Sequence, residues 1–348
     1  MQPGTPRLMA AALAASAMLS LAALERHQGI ASDVPADFVQ GKVPKIRDDD
    51  ERLPVEWPPD PDLEWAPPGH GDLYPGLVTS GLLETLLERG YRYAFVSNSD
   101  NLGAVLDPRI LAWFAAEGLP FAMEVADRTE ADRKGGHIAR RREGGLVLRE
   151  VAQTADEDLD AFQDVERHRF FNTNNLWLDL EVLARVMDER GGVLGLPMIV
   201  NRKTVDPTDK SSTPVIQLET AMGAAIDVFD GAQALRVPRS RFIPVKTTND
   251  LLVLRSDAYE LRGDGRVALA AQRDGAAPLV DLDDDFFKLV RDFDERFAAG
   301  APSLAACDRL TVRGDVRFGR GVACRGEVTV EQRGRDPLEI EDGAVLEG

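Results

Sequence analysis

An α/β domain built on a central sheet, followed by a short parallel β-helix, is the fold class that the sequence predicts. Three observations predict it. Short apolar runs end in polar loops and are followed by helical spacing, as in Tyr93–Ser97, the loop Asn98–Asn101 and the segment Pro108–Glu117; that order belongs to α/β sheets, where ligands sit beyond the carboxyl ends of strands. Near the C-terminus Val316, Val322 and Val328 are spaced by six, and Gly334, Ile340 and Leu346 continue the count and stay mostly apolar, with turn glycines at Gly314, Gly319, Gly321 and Gly326. A six-residue period with small turn residues marks a parallel β-helix; ordinary antiparallel strands with glycine turns are the competing reading. The chain has 348 residues and is 44% hydrophobic, enough for about two domains with a real core.

The elements follow in order. Leu8–Leu24 is an unbroken run of Ala, Leu, Met and Ser after Arg7. It reads as a soluble Ala/Leu-rich helix, with a signal peptide or a slightly short membrane helix as the alternative. Residues 54–69 are proline-rich and looped, because proline fixes φ and removes a donor. Ser80–Glu88 reads as a helix closing at Gly90. Phe121–Val125, Leu146–Val151 and Leu194–Val200 read as strands, and Asn175–Glu189 and Val215–Phe229 as helices. Phe242–Lys246 and Leu251–Arg255 read as strands around a polar turn, and Asp281–Phe297 as an acidic linker helix. The predicted boundaries are 1–25 for the Ala/Leu-rich segment, 26–280 for the α/β domain, 281–303 for the linker and 304–348 for the β-helix.

Charge and cysteine usage narrow the function. The formal net charge is -18, which argues against nucleic acid as a partner, since a polyphosphate backbone needs a basic face. A phosphate substrate requires a locally basic or Mg²⁺-screened pocket. Acidic runs such as Asp48–Glu51 and Asp281–Asp285 read as solvated faces. The two cysteines, Cys307 and Cys324, form no disulfide framework or metal-ligand spacing. A reducing, cytoplasmic setting without membrane attachment is expected.

Four loops carry polar residues after apolar segments. In Pro67-Pro68-Gly69-His70-Gly71-Asp72 the glycines let a flat base or sugar approach the backbone; a structural turn histidine is the bland reading. In Asn98-Ser99-Asp100-Asn101, Asp100 offers a hard oxygen to Mg²⁺ or caps the next helix. Asn172-Thr173-Asn174-Asn175 places three amides within four residues. Amides both donate and accept, as sugar hydroxyls require, or they too cap a helix. Lys246, at the end of an apolar run, can neutralise developing phosphate charge or simply sit in solvent. No Ser/His/Asp or Cys/His arrangement supports a hydrolase.

Together these loops resemble the UTP–glucose-1-phosphate uridylyltransferase family. FVSNSDNLGA (95–104), FFNTNNLW (170–177), VIQLETAMGAAI (215–226) and RSRFIPVKTTNDLLVL (239–254) occur in the family's order. So do PPGHGDLY (67–74), MEVADRTEADRKGG (123–136) and IVNRKTVD (199–206), and the C-terminus from LTVRGDVRFGRGV through GAVLEG is similar to the family's left-handed β-helix. The resemblance runs from about Leu21 to Gly348. It implies a Rossmann-like mixed sheet and a nucleotidyltransferase that joins glucose 1-phosphate to the α-phosphate of UTP, using Mg²⁺ and releasing pyrophosphate and UDP-glucose. Gln40 then matches the glutamine that bonds uracil, and Gly69 the glycine whose backbone contacts the base. His70 matches a glucose-phosphate contact, Asn98 a group between nucleotide and sugar, and Asn174 a glucose contact. Asp100 matches the Mg²⁺ ligand and Lys246 the lysine that holds the phosphates. Lys134 and Lys203 are second-rank phosphate candidates. Association of copies through the β-helix, seen in some lineages, is a further implication.

The chain departs from the family in one place. A glycine-rich loop of the form L-N-G-G-L-G-T-x-M-G, whose N–H groups cradle the UTP phosphates, is not found, since Gly4, Gly29 and Gly41 stand alone. The sheet's first strand is expected to be missing with it, which would bare a parallel edge, and the Ala/Leu-rich helix is expected to cover part of that edge. An N-terminally truncated sequence is the favoured explanation. The competing functions are a related UDP-sugar or UDP-N-acetylhexosamine pyrophosphorylase and a non-catalytic nucleotide-sugar-binding subunit.

Overall fold

The computed structural model describes residues 7–13, 34–35, 37–129, 132, 135–273, 275–334 and 336–348. These fall into two compact units. The first holds the described residues up to Ser99 together with Leu106–Arg239, and the second holds Asp100–Val105 and Ser240–Gly348. The division at Arg239/Ser240 comes ahead of the expected boundary at 280.

The first unit is a mixed α/β sheet, as predicted. Its strands are β1 (Arg7–Leu13), β2 (Tyr91–Asn98), β3 (Phe121–Asp127), β4 (His137–Arg140), β5 (Leu146–Arg149), β6 (Phe170–Asp179), β7 (Met198–Thr204), β8 (Pro214–Thr220) and β9 (Gln233–Arg236). The main sheet runs β1-β2-β6-β3-β9, with β4 joining β6 and β5. The outer pairs β1–β2 and β9–β3 are parallel, and β6 is antiparallel to both neighbours. β7 and β8 form an antiparallel hairpin extended by Ile46–Arg47.

The sheet is covered on both faces, so its central strands are buried throughout rather than on alternate residues. On one face α1 (Leu73–Thr79), α2 (Leu82–Glu88) and α4 (Leu180–Glu189) bring Leu77, Leu83, Leu86, Leu183 and Met187 against Val96, Phe121, Met123 and Leu178. On the other, Phe114 of α3 (Pro108–Ala116) stands edge-on to Tyr93, and Phe95 packs on Trp177 at 4.6 Å. Each such fully buried large side chain contributes about 1.5–3 kcal/mol.

Several predicted elements change type. The run at 8–24 is not a helix where it is described: Arg7–Leu13 is a strand, parallel to Tyr91–Asn98, with Leu13 opposite Asn98. The sheet edge expected to be bare is therefore paired, and the rest of that run lies outside the described residues. Asn175–Glu189 divides into the end of β6 and helix α4, and Val215–Phe229 into β8 and a 3-10 turn, Met222–Asp227. In both, the strand portion (Leu176–Leu178, Val215–Ile216) is apolar and buried on consecutive residues, and a strand buried on two faces has no period to distinguish it from a helix. The expected strand at 194–200 begins instead at Met198.

In the second unit Leu251–Arg255 is not a strand but part of helix α5 (Thr248–Arg255), started by a capping box between Thr247 and Asp250. The linker helix is two short ones, α6 (Asp284–Phe287) and α7 (Val290–Arg296), preceded by strand β10 (Leu279–Leu282). Apart from an antiparallel hairpin of Tyr259–Leu261 and Val267–Leu269, the remaining strands are β11 (Ser303–Arg313), β12 (Val316–Phe318), β13 (Ala323–Glu331), β14 (Leu338–Ile340) and β15 (Val345–Glu347). They alternate between two sheets, β10-β11-β13-β15 and β12-β14, and every pair is parallel. The six-residue count is visible in the packing: Val316, Val322 and Val328 are core residues, and Ile340 and Leu346 pack against them. Cys307 and Cys324 are free thiols in that core, and burial pushes the Cys324 thiol up to about 12. Among the described residues no helix is long and apolar enough to cross a membrane.

Candidate functional site

The glycine loop packs on the end of strand β8. Pro68 C=O accepts the N–H of Thr220 at 2.8 Å, and Gly69 turns with φ +81°. A Cβ at Gly69 would stand 2.5 Å from the Thr220 carbonyl oxygen, and one at Gly71 would stand 2.3 Å from Thr220 Oγ1. Gly69 is thus required by its backbone conformation and by close packing, and Gly71 by close packing, apart from any approach of a ligand. Gln40 Nε2 donates to the Gly69 carbonyl at 2.9 Å, and the Gly41 N–H donates to Asp72 Oδ2 at 2.6 Å. Gln40 and Gly69 are therefore neighbours although 29 residues separate them.

His70 is held by the turn after β8. Its Nδ1 accepts the N–H of Met222 at 2.9 Å, which leaves the proton of the neutral ring on Nε2. The phenol of Tyr74 donates to the Met222 carbonyl at 2.7 Å. Gly223 comes next, and a Cβ there would lie 2.7 Å from Asn172 Nδ2.

The asparagine segment lies inside β6 and caps no helix; the cap of α4 is Asp179, whose side chain accepts from Glu181 N and Val182 N. Asn174 has φ +58°, a conformation that asparagine tolerates better than most residues. It is locked by Asn172, whose Oδ1 accepts the Asn174 N–H at 2.8 Å and whose Nδ2 donates to Asn174 Oδ1 at 2.7 Å. Behind the segment, Glu124 is fully buried in β3. Its carboxylate accepts Asn175 Nδ2 and Trp177 Nε1, both at 2.9 Å, and its carbonyl accepts Thr173 Oγ1 at 2.7 Å. Asn98 is half-buried at the end of β2. β2 runs two residues past Val96, whose partner is Leu176, and β6 enters that pair from Asn174, so Asn98 and Asn174 belong to the same end of the sheet.

Asp100 and Lys246 belong to the second unit. The Asp100 carbonyl accepts the Val245 N–H at 2.9 Å, and Asn101 bridges Pro244. Asn101 secures the arrangement, since its Oδ1 accepts the Ile243 N–H at 2.8 Å and its Nδ2 donates to the Arg241 carbonyl at 3.1 Å. Asp100 caps no helix; Asp107 caps α3. Residues 242–246 are a loop rather than the expected strand. Lys246 is exposed there, with its N–H donating to Asp250 Oδ2 at 2.9 Å.

The donor set fits Mg²⁺. Asp100 Oδ1 is buried without a hydrogen-bond partner, and it is a hard oxygen. Among the described residues no three His, Cys, Asp or Glu side chains gather. Mg²⁺ is ordinarily held by one or two carboxylates plus substrate phosphates and water, so a single carboxylate suits it.

The second-rank candidates are not drawn to the glycine loop. Lys203 is exposed on β7 opposite Val215, five residues along the hairpin from Thr220, or roughly 17 Å at the rise of a strand. Its charge, after burial, helps to lower the pKa of Lys45, whose ammonium donates to the Val205 carbonyl at 2.9 Å. Lys134 lies outside the described residues. Sequence reasoning passed over Thr220, Met222, Tyr74 and Glu124, none of which stands in a polar loop. Only the bulk of the tyrosine and the isolated glutamate in an apolar strand could have pointed to them.

A model of the family described as "UTP–glucose-1-phosphate uridylyltransferase" matches residues 15–325. This chain belongs to the UTP–glucose-1-phosphate uridylyltransferase family. The uridylyltransferase of Hordeum vulgare is 45% identical over 283 residues, covering 81% of this chain and 58% of that protein. That of Musa acuminata is 42% identical over 311 residues, covering 89% and 64%. The chain thus spans less than two thirds of the length of these relatives. Among solved structures, the Trypanosoma brucei UDP-glucose phosphorylase superposes with a TM-score of 0.87 at 47% identity, covering 97% of this chain and 73% of that one. A point mutant of the Leishmania major UDP-glucose pyrophosphorylase in complex with UDP-glucose superposes with a TM-score of 0.89 at 46% identity, covering 98% and 74%.

Proposed function

We propose that the protein forms UDP-glucose and pyrophosphate from UTP and glucose 1-phosphate, reversibly and with Mg²⁺. The observation that carries this reading beyond family membership is the unpartnered, buried Oδ1 of Asp100, in a segment bonded to the loop that presents Lys246. A carboxylate and an ammonium so presented suit a reaction between two polyanions.

An oxygen of glucose 1-phosphate attacks the α-phosphorus of UTP in line. The new P–O bond forms as the bond to the β-phosphate oxygen breaks, and pyrophosphate leaves with that electron pair. No covalent bond to the protein is needed, so the chain's task is positioning and charge stabilisation. Lys246 holds the phosphates and stabilises their developing charge. Gln40 and the Gly69 backbone read uracil, Asn98 serves nucleotide and sugar, and His70 and Asn174 hold the sugar phosphate and the glucose. Asp100 would hold Mg²⁺, which supplies charge neutralisation on the phosphates when bound. Lys203 and Lys134 remain secondary phosphate contacts in this reading. The parallel coil of 304–348 is taken as a left-handed β-helix through which copies associate, in a cytoplasmic protein with neither nucleic acid nor membrane as partner.

The test is pyrophosphate release from UTP and glucose 1-phosphate with Mg²⁺, beside a Lys246→Ala control. Turnover that the substitution abolishes supports the reading. UDP-glucose binding by folded protein without turnover would instead make it a nucleotide-sugar-binding protein, and faster turnover with N-acetylglucosamine 1-phosphate would move it to the hexosamine substrates.

A further inference from the structure

Tyr74 lies in α1, just after the glycine loop, and its side chain is fully buried. A phenylalanine would fill the same space, and a buried hydroxyl costs stability unless it is bonded. The bond it makes goes to the Met222 carbonyl at 2.7 Å, and the N–H of the same residue donates to His70 Nδ1 at 2.9 Å. Burial raises the phenol's pKa, so it remains a proton donor.

The junction of Met222 and Gly223 meets a second group. A Cβ on Gly223 would reach within 2.7 Å of Asn172 Nδ2, the atom that donates to Asn174 Oδ1. One stretch of backbone therefore stands between His70 on one side and the Asn172–Asn174 pair on the other. Tyr74 pins that stretch from within the core.

We infer that Tyr74 is a positioning residue for the sugar end of the site. Acting through the Met222 backbone, its hydroxyl keeps His70 in the tautomer with Nδ1 as acceptor and the proton on Nε2, and keeps Asn172 and Asn174 in register with that ring. The inference rests on the sugar-binding roles proposed for His70 and Asn174. It adds a residue remote from the polar loops, with a role that a purely space-filling tyrosine would lack.

The experiment is ¹⁵N NMR of protein labelled at its four histidines, with the His70 signals identified by their loss in His70→Gln, and UDP-glucose and UTP titrations of the same samples. In the unsubstituted protein His70 is expected to show an unprotonated, hydrogen-bonded Nδ1 and a protonated Nε2. In Tyr74→Phe the two nitrogens move toward averaged values. UDP-glucose binding weakens about tenfold, the effect of one buried carbonyl losing its donor, while UTP binding changes less than about threefold. Unchanged His70 nitrogens in Tyr74→Phe overturn the tautomer role, and unchanged UDP-glucose affinity overturns the sugar-end role. Should Tyr74→Phe not fold, Gly223→Ala strains the same junction from the Asn172 side and must move the same His70 signals; if it does not, the inference fails. Absence of UDP-glucose binding by the unsubstituted protein would overturn the proposed function instead, and the His70 comparison would still judge the tautomer role by itself.

Discussion

The backbone carbonyl of Asp100 accepts the N–H of Val245 at 2.9 Å, so a carboxylate and a lysine 146 positions apart in sequence are presented from two bonded segments of one unit. The spacing of Asp100 and Lys246 is a property of that bond and of the Asn101 side chain beside it. Asn101 bonds both Ile243 and Arg241.

Asp100→Asn keeps the size of the side chain and removes its charge. Mg²⁺ dependence is expected to shift to much higher concentration, with turnover at ordinary Mg²⁺ falling about a hundredfold or more. Titration of Mg²⁺ at saturating UTP and glucose 1-phosphate checks this, and an unchanged Mg²⁺ midpoint would remove Asp100 from the metal.

Gly69→Ala places a methyl group against the Thr220 backbone at a residue with φ +81°. A cost of about 1–3 kcal/mol in stability is expected from the backbone conformation and the contact together. Because Gln40 bonds the Gly69 carbonyl, UTP affinity should fall as well. Urea unfolding and UTP titration measure the two effects separately.

Glu124→Leu leaves Trp177 Nε1 and Asn175 Nδ2 without the acceptor they share. A loss of about 2–4 kcal/mol is expected, from two buried donors losing their bonds to the carboxylate. Glu124→Gln should cost less, because Gln can accept from Trp177 and donate to a turned Asn175 amide. Equal losses in the two variants, by denaturant unfolding, would show that volume rather than hydrogen bonding decides.

His137 is fully buried and stacks on His168 at 4.0 Å. Burial first, then the charges of His168, Arg128 and Arg149, push its pKa down to about 3. The unfolded chain binds this proton near pH 6.5 and the folded chain does not until about pH 3. Stability from this group is therefore present above pH 6.5 and lost as pH falls toward 3, by at most about 1.4 kcal/mol per pH unit. His137→Leu should flatten the acid limb of stability against pH by that amount, as chemical unfolding between pH 7 and 4 would show.

The sequence by itself carried the family, the α/β class and the loops that bear polar chemistry. Those features are local: FFNTNNLW and PVKTTNDLL are runs of adjacent residues, and the valines at 316, 322 and 328 lie in the core because their spacing alone places them there. Tertiary structure decided what local pattern leaves degenerate. Leu176–Leu178 lie in a strand because β2 and β3 pair with them on either side and side chains packed on both faces of the sheet bury them, which erases the period that separates strand from helix. Arg7–Leu13 is a strand because an open edge of Tyr91–Asn98 can pair with it, whereas a run of Ala and Leu considered alone favours a helix. Met222 and Tyr74 acquire a role only because a phenol and a backbone carbonyl 148 residues apart meet in space. Hydrogen bonding of that kind depends on which segments pack together, and no pattern of neighbouring residues records it.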